Sequence, residues 1–307
     1  MSGAKNLWLF VRLSRPLFLL GGFLLYVLGL TMAVHAGARI DLWRAVAGQA
    51  LVSAIQLSVH YSNEYFDVST DTANLYRTPF SGGSGVLSPA GLDRKAALWA
   101  GSITLAMTVL LLFRLMALGL MQGVPLGLVL VALVIGLGYS APPARWVATG
   151  LGEFLAAFVI AAIVPALAFS LQTGGLSAVL AAAVIPPAAL AFSMIMTFDL
   201  PDEDSDRATG KRTLAVRLGR AATVRWISLA TALGYGWLVF SLWLGMPPIV
   251  ATFAALSLPL AWVHITLARR TLKTAEPRWA LVTALALAVF ALTASLEAVG
   301  FLIAANA

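Results

Sequence analysis

The chain contains no cysteine, so disulfides, thiolate metal sites and a cysteine nucleophile are excluded. Its three histidines, His35, His60 and His264, are too scattered to announce a zinc site. Charge is scarce too. Only 11% of residues are Asp, Glu, Lys or Arg, against roughly 25% in ordinary soluble domains. Apolar residues fill the gap: they make up 60% of the 307 positions, and mean hydropathy is +0.91. A soluble fold of this length could not hide so much apolar surface, so the solvent must be lipid. That excludes a secreted domain, a disordered chain and a soluble nucleic-acid binder. The net charge of +7 then reflects membrane topology rather than nucleic acid.

Apolar stretches of about 20 residues mark spanning helices. Nine are found, at roughly 16–36, 42–66, 95–117, 122–140, 150–172, 176–199, 219–243, 247–269 and 279–304. The first is long, has no clear small-residue cleavage site and is followed by eight similar spans, so it reads as a membrane helix rather than a cleaved signal. Of the 20 basic residues, 16 fall at the N-terminus or in alternate connections, and basic residues stay cytoplasmic. The expected protein is an integral component of a bacterial-type inner or plasma membrane. Its N-terminus is inside and its C-terminus outside. The two long connections, about 67–94 and 199–218, are both cytoplasmic, and long loops of this kind usually carry function. No soluble domain or short repeat interrupts the pattern, so residues 1–307 read as one all-α, polytopic membrane domain.

Each long connection opens on an acidic cluster. The first runs from Asn63 through Glu64 and Asp67 to Asp71, and the second from Asp199 through Asp202, Glu203 and Asp204 to Asp206. Together they hold 8 of the 13 acidic residues. Spacings of four put Asn63, Asp67 and Asp71 on one helix face, and likewise Asp202 and Asp206. Like charges at that spacing repel, so helix stability does not explain them. Carboxylates beside a membrane are costly and usually functional. Mg²⁺ commonly bridges a few carboxylates to substrate phosphates, which would turn such clusters into a diphosphate clamp. Arg77 follows the first cluster, and Arg207, Lys211 and Arg212 follow the second, as complements for the remaining phosphate oxygens. Gln56, His60, Asn63 and Asp67 form a polar stripe leading from mid-membrane to the cytoplasmic rim. Glu153 and Glu297 lie inside spans and are expected to face the bundle interior.

These residues resemble the UbiA superfamily of intramembrane prenyltransferases, whose motifs read N-D-x-x-D-x-x-x-D and D-x-x-x-D. Asn63, Asp67 and Asp71 fit the first motif, and Asp202 and Asp206 the second. Further likeness lies in Ser14-Arg15-Pro16, the loop from Arg77 to Gly85, Tyr139-Ser140-Ala141-Pro142-Pro143, Gly150-Leu151-Gly152-Glu153 and Gly210-Lys211-Arg212-Thr213-Leu214-Ala215. The last stretch is most similar to the 1,4-dihydroxy-2-naphthoate prenyltransferases of menaquinone synthesis. Glu64 stands where the motif usually has Asp, and Asp199 where the naphthoate branch often has Asn.

The resemblance implies nine helices around a central cavity with a cytoplasmic cap from the two Asp-rich loops. It implies Mg²⁺-dependent transfer of a polyprenyl group from an allylic diphosphate to an aromatic acceptor, with Mn²⁺ able to substitute. The partners are then polyprenyl diphosphate, the aromatic acceptor and the bilayer, with no nucleic acid. Metal ligands would be Asn63, Asp67, Asp71, Asp199, Asp202 and Asp206. Arg77, Arg145, Lys211 and Arg212 would bind diphosphate, with Asp67, Asp202 and Lys211 as the catalytic core. His60, Tyr139 and Ser140 would meet substrate. The acceptor expected is 1,4-dihydroxy-2-naphthoate. The alternatives are 4-hydroxybenzoate, chlorophyllide, haem or glycerol phosphate. A secondary transporter is the competing non-enzyme class, but it would favour inverted repeats, whereas both acidic clusters lie on one side.

Overall fold

A computed structural model describes residues 3–89 and 91–307 and is all-helical: among the described residues there is no strand beyond an isolated bridge between Leu87 and Leu92. The helices are α1 (Gly3–Leu13), α2 (Pro16–His35), α3 (Leu42–Ala73), α4 (Arg94–Ala117), α5 (Gly123–Ser140), α6 (Gly152–Thr173), α7 (Ala178–Ala208), α8 (Leu214–Leu218), α9 (Arg220–Leu244), α10 (Pro248–Thr271) and α11 (Trp279–Ala305). Eight of them (α2, α4, α5, α6, α7, α9, α10 and α11) are long and apolar enough to cross a membrane. The second stretch expected to span lies in α3. That helix is the longest at 32 residues, but its polar stripe keeps it out of the eight. The protein is an integral membrane protein.

Helix α1 was not foreseen, because at 11 residues it is too short for a span. Its Leu9 and Leu13, four apart, are buried in a small second core with Tyr61, Val86, Ala97 and Ala100. Leu7, Trp8, Phe10 and Val11 stay exposed, as on a helix lying along an interface.

Proline sets the breaks in the long helices. In α6, Pro165 follows a π-helical turn at Val159–Ile163, as expected where a missing N–H disturbs the ladder. Pro186 and Pro187 stand at the joint between the two parts of α7, and Pro259 just after the joint in α10. Near that second joint, Ser257 Oγ lies 2.7 Å from both Tyr235 Oη and Thr293 Oγ1, so the buried hydroxyls satisfy one another.

An inner ring of α2, α3, α5, α6, α7 and α11 is formed by neighbours in turn, with α4 outside against α3 and α9 against α7. Between α2, α3, α5, α6 and α7 lies the cavity that holds the site. Glu153 and Glu297 are both buried, as expected of charges inside spans. Neither carboxyl oxygen of Glu297 has a hydrogen-bond partner.

Candidate active site

Helix α3 carries its polar stripe into the cavity: Gln56, His60, Asn63, Asp67 and Asp71 all line it. Helix α7 contributes Asp199, Asp202 and Asp206 from its last turns. Spacings of three or four residues put each set on one face, and the two faces meet across a cavity of about 260 Å³. Below the acidic rim the walls are apolar, with Ile55, Ile135, Ile160 and Met194 among them.

Lys211, the second residue after the Thr209 cap of α7, reaches back into the rim. Its Nζ is 2.8 Å from Asp67 Oδ2 and 3.7 Å from Asp206 Oδ1, so one ammonium ties the two motifs together. Burial works against its charge, but Asp67 and then Asp206 outweigh it, and its pKa stands above the ordinary lysine value. Asp67 Oδ2 also accepts from Asn63 Nδ2 at 2.8 Å, and that nitrogen donates to Ser140 Oγ at 2.9 Å. Asp202 holds the loop that caps the cavity. Its Oδ1 accepts from Asn74 Nδ2 at 2.6 Å and its Oδ2 from the Gly82 N–H at 3.1 Å. The next glycine, Gly83, has φ +68 and lies so close to Asp71 that a Cβ there would collide with the carboxylate. Asp71, beyond the apolar part of α3, is pushed up to about 7 by burial first and then by the charges of Asp67 and Glu64.

Five carboxylates thus line the cavity against two cations, Lys211 and Arg15. Two buried oxygens among them, Asp67 Oδ1 and Asp199 Oδ2, have no hydrogen-bond partner. Hard oxygen donors in excess over basic side chains, some with free lone pairs, fit a divalent cation such as Mg²⁺. Among the described residues no three acidic or histidine side chains converge as a ready-made metal cage.

Several expected positions lie outside the cavity wall. Arg77 turns back on its own loop, donating to the Asp71 carbonyl at 2.8 Å. Arg145 sits in a left-handed conformation (φ 41) at the start of a 3₁₀ turn, Trp146–Ala148. Arg212 is exposed, and its backbone is engaged with Ala148 and Arg217. Arg207 is bound to Glu203. Ser140 is buried against Asn63, so it orients that amide from behind. His60 and Tyr139 do line the cavity. Within the second cluster, Glu203 and Asp204 face the other way and pair with Arg220 at 3.2 and 2.9 Å.

Arg15 lines the cavity, although the sequence offered it only as part of the approach to the first span. Its guanidinium lies 3.6 Å from Glu64, which accepts from the Ser84 N–H at 2.7 Å and from Ser84 Oγ at 2.6 Å. Glu64 therefore faces the glycine-rich loop rather than the cavity. An aromatic group was also missed. Phe80 stacks on Phe198 with centroids 5.8 Å apart, and Phe18 meets both Phe198 and His60 edge-on. Nothing in local spacing links residues 18, 80 and 198.

Glu64→Ala is expected to lower the thermal midpoint, since two donors of Ser84 lose their acceptor at a cost of about 1–3 kcal/mol. It should also reduce kcat/KM by about 10- to 100-fold, as loss of outer-shell support typically does. Glu64→Asp should stay within about tenfold of the parent. Unchanged kinetics and melting in Glu64→Ala would show that the loop needs no such anchor.

The sequence model of the UbiA prenyltransferase family matches residues 23–286. The 1,4-dihydroxy-2-naphthoate octaprenyltransferase of Bacillus subtilis (strain 168) is 25% identical over 240 residues, 78% of this chain and 74% of its own length. The fold is similar to that of a UbiA homolog from Archaeoglobus fulgidus bound to GPP and Mg²⁺, with TM-score 0.64, 14% identity, and coverage of 94% of this chain and 99% of that one. A UbiA homolog from Aeropyrum pernix K1 gives TM-score 0.62 at 17% identity, covering 90% and 97%. A digeranylgeranylglyceryl phosphate synthase structure gives 0.62 at 14% identity, covering 97% and 99%.

Proposed function

This chain belongs to the UbiA prenyltransferase family, and from that premise we propose that it transfers a polyprenyl group from an allylic diphosphate to 1,4-dihydroxy-2-naphthoate. The carrying observation is the cavity itself: carboxylates from two helices and one buried lysine crown a chamber whose lining includes Ile55, Ile135, Ile160 and Met194. The acceptor rests on the likeness to the Bacillus subtilis octaprenyltransferase.

Asp67, Asp71, Asp199, Asp202 and Asp206 are the residues to hold Mg²⁺, with Asn63 fixing Asp67. Mg²⁺ held there would supply positive charge to offset that growing on the departing diphosphate. Lys211 and Arg15 point positive charge at the same oxygens. Arg77 braces the end of α3 through the Asp71 carbonyl, and Arg145 and Arg212 stand outside the cavity lining. The prenyl chain lies along the apolar walls. The faces of Phe80, Phe198 and Phe18 stabilise positive charge at the allylic carbon, as aromatic faces attract cations. Enclosure keeps water from that carbon. His60 and Tyr139 orient the aromatic acceptor.

Incubation of purified protein with Mg²⁺, a labelled polyprenyl diphosphate and a panel of acceptors tests this reading. Mass spectrometry should find prenylated 1,4-dihydroxy-2-naphthoate. A product only with 4-hydroxybenzoate, chlorophyllide, haem or glycerol phosphate would replace the acceptor, and no product with any would overturn the transfer.

Counting α3 as the ninth span puts the N-terminus and both acidic loops in the cytoplasm and the C-terminus outside. The distribution of basic residues supports this, with Lys5, Arg12 and Arg15 at one end of the chain and none after Arg278. A reporter after Ala307 should therefore be accessible from outside and one within 209–213 only from inside. Accessibility of both from one side would contradict nine spans.

A further inference from the structure

A second hollow, of about 530 Å³, lies between α9 and α10, away from the acidic cavity. From α10 it is lined by Leu258, Ala261 and Trp262 and then, toward the helix end, by Arg269 and Arg270, with Lys273 in the turn just beyond. These positions recur at three- and four-residue intervals, so one face of α10 changes from apolar to basic along its length. Leu258 to Arg270 is 12 residues, or about 18 Å of helix. That exceeds the roughly 15 Å that one leaflet contributes to the hydrocarbon core. The apolar end is therefore deep in the membrane when the basic end is at headgroup level.

The basic end is unpaired. No acidic residue lines the groove, and among the described residues Arg269, Arg270 and Lys273 make no ion pair. All three are exposed. Arg269 is steadied by donating to Ser228 Oγ of α9 at 3.1 Å, which holds its guanidinium across the mouth. Trp262 is 71% exposed and forms an open apolar wall toward lipid.

We propose that this groove binds an anionic glycerophospholipid of the surrounding leaflet, its headgroup phosphate on Arg269, Arg270 and Lys273 and an acyl chain along Trp262, Ala261 and Leu258. Charge complementarity selects the occupant. Three cations without a carboxylate attract an anionic headgroup, and a zwitterionic lipid brings no net charge to them. The same absence of carboxylates argues against a metal-bound diphosphate, which needs oxygen ligands from the protein.

Retention of phosphatidylglycerol and of phosphatidylcholine by the full-length protein in detergent, read by native mass spectrometry, tests the proposal. The unmodified protein should retain phosphatidylglycerol preferentially. An Arg269→Ala, Arg270→Ala, Lys273→Ala triple variant should lose apparent affinity on the order of 100-fold, from about 1 kcal/mol per basic residue. A Lys5→Ala, Arg39→Ala, Lys95→Ala triple should not. Equal loss in both triples, equal retention of the two lipids, or displacement of phosphatidylglycerol by farnesyl diphosphate would overturn it. A photoreactive phosphatidylglycerol applied to the unmodified protein gives a reading independent of the variants' folding. Adducts should concentrate in peptides spanning 228–273, and an even spread around the bundle would contradict the groove.

Discussion

Asp67→Ala and Asp202→Ala are each expected to lower turnover by roughly 100- to 1000-fold, the usual loss when one well-placed electrostatic stabiliser is removed. Asp67 is buried, contacts Lys211 and Asn63 through one oxygen, and has its other oxygen free of partners. Alanine there removes the carboxylate proposed as a ligand for the cation and leaves Lys211 with only the longer contact to Asp206. Asp202 has a second duty, since both its oxygens hold the loop at Asn74 and Gly82. Its alanine variant should therefore also raise KM for the prenyl diphosphate. Asp204→Ala is the matched control. It lies in the same acidic cluster but is exposed and pairs outward with Arg220. Asp93 would make a poorer control, because it caps α4 by accepting from the Lys95 N–H at 2.7 Å. Losing that cap would cost about 1 kcal/mol of stability. If the Asp67 and Asp202 variants, folded and in saturating Mg²⁺, turn over like Asp204→Ala, the acidic rim is not the reacting site.

Lys211→Gln should be nearly as damaging, for two separable reasons. The buried ammonium contacts carboxylates from both motifs, at 2.8 Å from Asp67 and 3.7 Å from Asp206. Its removal leaves two buried carboxylates facing each other. Breaking a buried pair typically costs about 3–5 kcal/mol. The thermal midpoint should fall accordingly. Turnover should fall by roughly 100-fold or more, since a cation aimed at the leaving diphosphate is lost as well. Added Mg²⁺ should restore part of the thermal midpoint, by binding the uncompensated carboxylates, and not the rate. Parental melting and parental rate together would exclude Lys211 from both roles.

The two acidic faces were legible in the sequence because a four-residue interval is a local property of a helix. Asp67 and Asp202 stand 135 residues apart in the chain and yet line one cavity, since each sits at the same end of its own helix. Basic residues were legible only in number. Arg77, Arg145, Lys211 and Arg212 all follow polar loops, and their directions depend on turns that spacing does not fix. Lys211 reaches inward because the chain reverses at Gly210, where φ is +80, and its N–H closes onto the Asp206 carbonyl at 2.9 Å. The next residue, Arg212, is directed to solvent. Arg15 could not be read as a cavity residue, since its place depends on α1 folding back beside α3. Arg12 marks that contact, donating to the Ser84 carbonyl at 3.0 Å. Glu64 was ambiguous for the same reason. One more methylene than Asp lets it reach Ser84, which only the folded loop brings within range.

Metal-dependent turnover is the most direct measurement of the central claim, that the two acidic helix ends form one Mg²⁺-assisted diphosphate site. Purified protein, stripped of bound metal, is given a labelled polyprenyl diphosphate and 1,4-dihydroxy-2-naphthoate, and prenylated acceptor and released diphosphate are quantified together. The account predicts no turnover in excess EDTA and recovery on adding Mg²⁺, with product and diphosphate appearing in equal amounts. Full activity in EDTA would contradict it.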